Sequence, residues 1–106
     1  MGQNPNVGVV EKFKRKLSKK LDIEKLVLFG SRARQNFSDE SDFDLLVISK
    51  DFEGVPWYLR GKDIYLEWRD SRPLEVLCFT PSEVKRKMEF PVRGIVAEAI
   101  ETGVSV

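Results

Sequence analysis

Asp42 and Asp44, one residue apart, open a segment whose alternation and β-branched content predict a strand over Asp42–Ser49. Residues two apart on a strand face the same way, so the two carboxylates would stand about 6 to 7 Å apart on one face, close enough to share a hard cation. That face continues through Leu46 and Ile48, while Phe43, Leu45 and Val47 point to the other side, so both faces are expected to lie against core. Two unpaired carboxylates beside such residues are costly, and a metal is one of the few partners that stabilises both. The plainer reading puts the pair at the wet entrance of the strand as solubilising charges, and the pair alone favours it. Glu75 weighs the other way. It interrupts the apolar run Leu74, Val76, Leu77, Cys78, Phe79, and shares its face with Leu77 and Phe79. Taken singly it belongs at an exposed edge or beside Arg69 or Arg72. Joined to Asp42 and Asp44 from a neighbouring strand, it completes a site for two magnesium ions, one organising a triphosphate and the other activating a hydroxyl. Glu75 would then be both a ligand and the proton acceptor.

Gly30-Ser31 offers what carboxylates cannot. Glycine after a strand lets backbone N–H groups approach phosphate oxygens, and the serine hydroxyl and the start of a short helix add donors and a favourable dipole. Arg32 and Arg34 follow as candidate neutralisers of phosphate charge, against the alternative that they are solvated or paired with Asp39 or Glu40. Composition narrows the field. The absence of histidine excludes Ser-His-Asp and Cys-His catalysis and most zinc chemistry, and leaves carboxylates, which suit magnesium. A net charge of +1 advertises neither a nucleic-acid nor a membrane partner, so any such partner must be recognised locally. The single cysteine, Cys78, fits a small buried hydrophobe in a reducing, cytoplasmic protein. No stretch approaches a membrane span or a signal peptide, so the expectation is a soluble protein.

The elements that must position these residues are legible at coarse grain. The chain's length suits one domain, 1-106, with a flexible lead over residues 1-6. Val10, Phe13, Leu17 and Leu21 recur at helical spacing among lysines; this basic side is read as a solvated face rather than a phosphate surface. Lys25–Phe29 reads as a buried strand, Arg32–Gln35 as one helical turn, and Asn36–Ser41 as turn. A loop over Asp51–Pro56 leads into a helix opened by Pro56, with Trp57, Ile64, Tyr65 and Trp68 on one face and Gly61 weakening its middle. Trp57 and Tyr58 are expected to pack that helix onto the sheet, an interface being the other reading. Leu74–Phe79 is a third strand. Thr80, Pro81 and Glu83 spell a capping box that opens a helix running through Met88. Pro91 interrupts it, Ile95, Ala99 and Ile100 resume the period, and Gly103 ends it before a last short strand over Val104–Val106. Strands separated by helices indicate an α/β domain around a small mixed sheet flanked by helices.

The stretch Leu28 to Val47, L-F-G-S-R-A-R-Q-N-F-S-D-E-S-D-F-D-L-L-V, closely resembles the signature of the nucleotidyltransferase domain of the polymerase-beta-like superfamily. More narrowly, the chain is similar to the minimal nucleotidyltransferases, a small prokaryotic group often encoded beside HEPN-domain proteins. Pro73 to Glu83 also resembles the third-strand region of that group. The resemblance implies the nucleotidyltransferase fold, with Asp42 and Asp44 as metal ligands, Gly30, Ser31 and Arg32 at the nucleotide, and Glu75 where many relatives carry aspartate. Gln35 stands where relatives commonly carry glycine. The implied activity is magnesium-dependent transfer of a nucleoside monophosphate from an NTP, with AMP from ATP favoured, and release of pyrophosphate. The minimal group lacks the acceptor-binding domain of larger relatives. The acceptor implied is therefore a hydroxyl on an HEPN-domain partner, modified by the chain as the antitoxin of a toxin-antitoxin system. Other readings are a non-catalytic antitoxin or nucleotide-binding subunit, or transfer to a small molecule or RNA. The residues leave nucleic-acid contact and pairing into a homo-oligomer undecided.

Overall fold

The computed structural model describes residues 4–106. Asn4 caps the first helix, its side chain accepting the Asn6 N–H at 3.0 Å, and Pro5 occupies the first turn, where its missing N–H costs nothing. Helix α1 accordingly runs Pro5–Leu17 with Val10, Phe13 and Leu17 buried, while Leu21 lies beyond its end. The expected flexible lead is thereby corrected at Asn4, Pro5 and Asn6, which belong to α1 and its cap; residues 1–3 lie outside the described residues.

The strands are β1 (Ile23–Phe29), β2 (Phe43–Ser49), β3 (Leu74–Phe79) and β4 (Val104–Ser105), in the spatial order β3-β2-β1-β4. β1 is antiparallel to β2 and β4, and β2 is parallel to β3, so the sheet is mixed as expected. A single turn, α2 (Ser31–Arg34), follows β1. Parallel neighbours cannot be joined by a hairpin, and the crossover between β2 and β3 contains 3-10 turns at Lys50–Phe52 and Trp57–Leu59 and the short helix α3 (Lys62–Glu67).

Here the structure corrects the reading of one helix opened by Pro56. Pro56 starts only a 3-10 turn, and the chain begins again at Gly61, the weakest helix former after proline, which caps α3. Ile64 is the buried residue of α3, whereas Trp57, at 80% exposure, and Tyr58 face solvent rather than packing onto the sheet. The two rings meet each other edge to face at 5.6 Å.

Thr80 and Glu83 form the expected capping box of α4 (Pro81–Glu89), and α5 (Ile95–Thr102) ends at Gly103. A Cβ at Gly103 would lie 2.6 Å from Val27 Cγ1 and 2.7 Å from the Leu28 carbonyl, so β1 and the end of α5 meet there only because the residue is glycine. Both sheet faces are covered. Phe43, Leu45 and Val47 join the cluster of Val10, Phe13, Leu17 and Ile64 from α1 and α3, and Leu46 and Ile48 join Val84, Val96 and Ala99 from α4 and α5. Cys78, half-buried on β3, has its thiol pushed up to about 12 by burial, with Arg60 opposing. Among the described residues no helix is long and apolar enough to cross a membrane.

Candidate active site

The parallel register of β2 and β3 sets Asp44 directly opposite Glu75. The Phe43 N–H donates to the Pro73 carbonyl at 2.8 Å, aligning the two strand starts one residue before that pair. Asp42 stands immediately ahead of β2. One oxygen from each of Asp42, Asp44 and Glu75 lies within 4.8 Å of the others. Asp42 and Glu75 are exposed and Asp44 half-buried. Burial, then the neighbouring charges of Asp42 and Glu75, raise the Asp44 carboxyl above its ordinary value, against a partial opposing pull from Arg34. Arg72 does not pair with Glu75: it holds Asp70 through Nε and Nη2, both at 2.6 Å, and keeps that carboxyl at about 2.

Asp44 also lies opposite Phe29, the last residue of β1, which brings it against the following turn. Gly30 takes φ 77°, in the region that disfavours side chains, and a Cβ there would fall on Oδ2 of Asp44 and 3.2 Å from its Cγ. Glycine is demanded twice, by conformation and by the carboxylate leaning on it. Ser31 opens α2 beside this contact. Because α2 is one turn, its dipole is small, and any anion binding here rests on local N–H and hydroxyl donors.

Arg32, expected at the nucleotide, is buried instead. It is 1% exposed, with its guanidinium turned into the protein. Nε donates to the Ser41 carbonyl at 2.9 Å, Nη1 to Asn6 Oδ1 at 3.0 Å, and Nη2 to the carbonyls of Ser38 and Asp39 at 3.2 and 3.3 Å. The group sits 4.8 Å from the centre of the Phe37 ring and 4.4 Å from that of Phe43. Four of its five N–H donors are engaged by backbone and amide oxygens, and burial leaves the group closed to an incoming phosphate. Arg34, exposed on the same turn, is the arginine whose charge reaches Asp44.

The sequence profile of the nucleotidyltransferase domain family matches residues 10–101, from within α1 through strands β1, β2 and β3 to α5. The chain belongs to that family. Among solved structures it is similar in fold to a candidate nucleotidyltransferase from Sulfolobus solfataricus, at 19% identity and TM-score 0.62 over 81% of this chain and 82% of that one. It also resembles BolA1 from Arabidopsis thaliana, at 31% identity and TM-score 0.54 over 69% of this chain and 92% of that one. The BolA domain of SufE1 from the same plant gives 28% identity and TM-score 0.51 over 69% and 92% of the respective chains. No curated protein matches the chain.

As a nucleotidyltransferase domain, the chain has the acidic cluster and the Gly-Ser turn side by side. Gln35 takes φ 63° and ψ 24°, a left-handed conformation at the end of α2, which is the physical reason a glycine suits this position. Sequence reasoning missed Asn4 and Asn6, whose Nδ2 groups both donate to the Arg32 carbonyl, at 2.7 and 3.2 Å. The signal was present: Asn-Pro ahead of an amphipathic period is a helix start.

Proposed function

We propose that this nucleotidyltransferase domain moves AMP from ATP onto a hydroxyl of a protein partner, with magnesium held by Asp42, Asp44 and Glu75, and that it serves as the antitoxin of an HEPN-domain toxin. The observation that carries the metal site is the convergence of three carboxylates within 4.8 Å, none of them in a salt bridge among the described residues. The donor set fits the ion. Oxygens on opposite sides of one magnesium are separated by about 4 Å, so the cluster lies near the span of a single ion, and two ions about 3.5–4 Å apart suit three carboxylates equally. Bound magnesium supplies charge neutralisation along the triphosphate and lowers the pKa of the attacking hydroxyl.

The chain's own residues do the rest. Gly30 and Ser31 bind the phosphates through backbone and hydroxyl donors beside Asp44, and Arg34 adds positive charge at the mouth of the site. The acceptor oxygen bonds to the α-phosphorus as the bond from that phosphorus to the pyrophosphate oxygen breaks, and Glu75 receives the hydroxyl proton. Such transfer needs mainly positioning and charge stabilisation. A protein acceptor is supported by apolar side chains left in solvent, among them Trp57, Tyr58 and Leu66 on the crossover, Phe90 and Val92 between α4 and α5, and Ile95 at the start of α5.

The test is transfer of label from α-labelled ATP, with magnesium, to the co-purified partner. Labelling on a partner hydroxyl, abolished by Asp42→Ala, is the expected result. No labelling by the wild type while Asp42→Ala still neutralises the partner would leave an antitoxin that acts by binding alone. Labelling of RNA or of a purified small acceptor without any protein partner would replace the protein acceptor.

A further inference from the structure

We propose that Arg32 is a positioning residue for the cation site: it fixes Asp42 by gathering the main chain ahead of it, and α1 is its abutment. The inference rests on the reading of Asp42, Asp44 and Glu75 as a cation site. A buried guanidinium is normally matched to a carboxylate; this one binds three backbone carbonyls and one amide oxygen instead. The three carbonyls belong to Ser38, Asp39 and Ser41, the segment that leads into Asp42. Asp42 is exposed, so packing of its own side chain does not fix it. Its position follows from the residues on either side, Ser41 held by Arg32 and Phe43 held by the Pro73 carbonyl. Phe43 contributes twice, since its ring lies against Arg32 on the sheet face opposite the acids.

The fork is anchored from behind. Asn6 accepts from Arg32 Nη1 and returns a hydrogen bond to the Arg32 carbonyl, and Asn4 donates to that same carbonyl. Asn6 is itself buried. The first turn of α1 is thus connected through one side chain to the segment that presents a metal ligand. Lysine cannot replace this fork, because a single ammonium cannot reach acceptors spread around a plane.

Electrostatics and positioning predict opposite signs, which makes the proposal testable. Removing a positive charge near three carboxylates should tighten a divalent cation. Losing the frame should loosen it, by about 10- to 100-fold as for other groups that orient metal ligands.

The experiment measures Mn²⁺ binding to the full chain by calorimetry or electron paramagnetic resonance, without nucleotide, at a temperature where circular dichroism shows each variant folded. Arg32→Ala and Arg32→Lys are expected to weaken Mn²⁺ binding by about 10- to 100-fold, Asn6→Ala less, and Arg34→Ala, which removes a charge that acts on Asp44 without touching the frame, to tighten it. Millimolar guanidinium, but not methylammonium, should restore binding to Arg32→Ala by refilling the planar site. Should Arg32→Ala fail to fold, Arg32→Lys and Asn6→Ala carry the test. Unchanged or tighter Mn²⁺ binding in folded Arg32→Lys and Asn6→Ala overturns the positioning role. Wild type that binds no Mn²⁺ overturns instead the cation site on which it rests, so the two failures are distinct.

Discussion

Two acidic regions of this small sheet are built on opposite terms. At the end of β3, Glu83 accepts from Thr80 N–H at 2.8 Å and from both Nη atoms of Arg60 at 2.6 and 3.0 Å, and its carboxyl is held down at about 2. At the start of β2 and β3, Asp44 faces Asp42 and Glu75, and its carboxyl is raised. One region carries its own counter-charge; the other gathers like charges and leaves the counter-charge to come from outside. The chain does place a guanidinium close behind the second region, yet Arg32 spends its donors on neutral carbonyls. The contrast separates an acid used to hold the fold from acids kept in tension for a ligand.

That contrast can be broken at its strongest point first. Asp44→Asn should reduce magnesium-dependent nucleotidyl transfer by about 10²–10³-fold or more, the scale of losing one preorganised charge. The same variant should raise the melting temperature of the metal-free protein at pH 7. A carboxyl raised by the fold is less stable ionised there than in the unfolded chain, so neutralising it relieves the fold. A variant that instead melts lower and still transfers would erase the distinction.

Gly30→Ala tests the contact between the turn and Asp44. With a left-handed backbone and no room for a Cβ, it should lose about 1–3 kcal/mol in denaturant titration and weaken Mn²⁺ binding by displacing the carboxylate.

Arg60→Ala probes the matched region. It should cost about 2 kcal/mol at pH 7, the worth of charge-assisted hydrogen bonds discounted for partial exposure, with transfer chemistry untouched. Glu83 has a folded value of about 2 against an ordinary 4.5, so its stabilisation is full above pH 4.5 and fades as pH falls toward 2. The gap between wild type and Arg60→Ala in urea midpoints at pH 7, 4 and 3 should narrow in that order. The smallest effect belongs to Gln35→Gly, expected to gain about 0.5 kcal/mol by relieving the left-handed strain, read as a slightly higher melting temperature.

What the sequence disclosed followed physical locality. Strands β2 and β3 and the capping box of α4 are written in alternation, branching and a four-residue signal, and they stand where expected. The two aspartates and Glu75 were legible as a set because a charge in an apolar run requires an explanation, and the parallel register supplies one. Arg32 was misread because nothing local distinguishes an arginine aimed at a phosphate from one folded under a loop; its partners Asn6 and Phe43 are distant in sequence. The helix expected from Trp57 failed because Trp57, Ile64, Tyr65 and Trp68 fit the periodicity of a buried face, while Gly61 and Pro56 divide the segment before that face can form.

The half-buried thiol on β3 has a practical consequence for labelling. With its pKa at about 12, Cys78 is ionised at neutral pH to only ~10⁻⁵, too little to compete for maleimides or spin-label reagents. It is also the chain's sole cysteine. A cysteine introduced on an exposed site, such as Lys50→Cys or Glu89→Cys, should therefore react alone, and a fluorophore or nitroxide can report on the acidic cluster with the native thiol left in place.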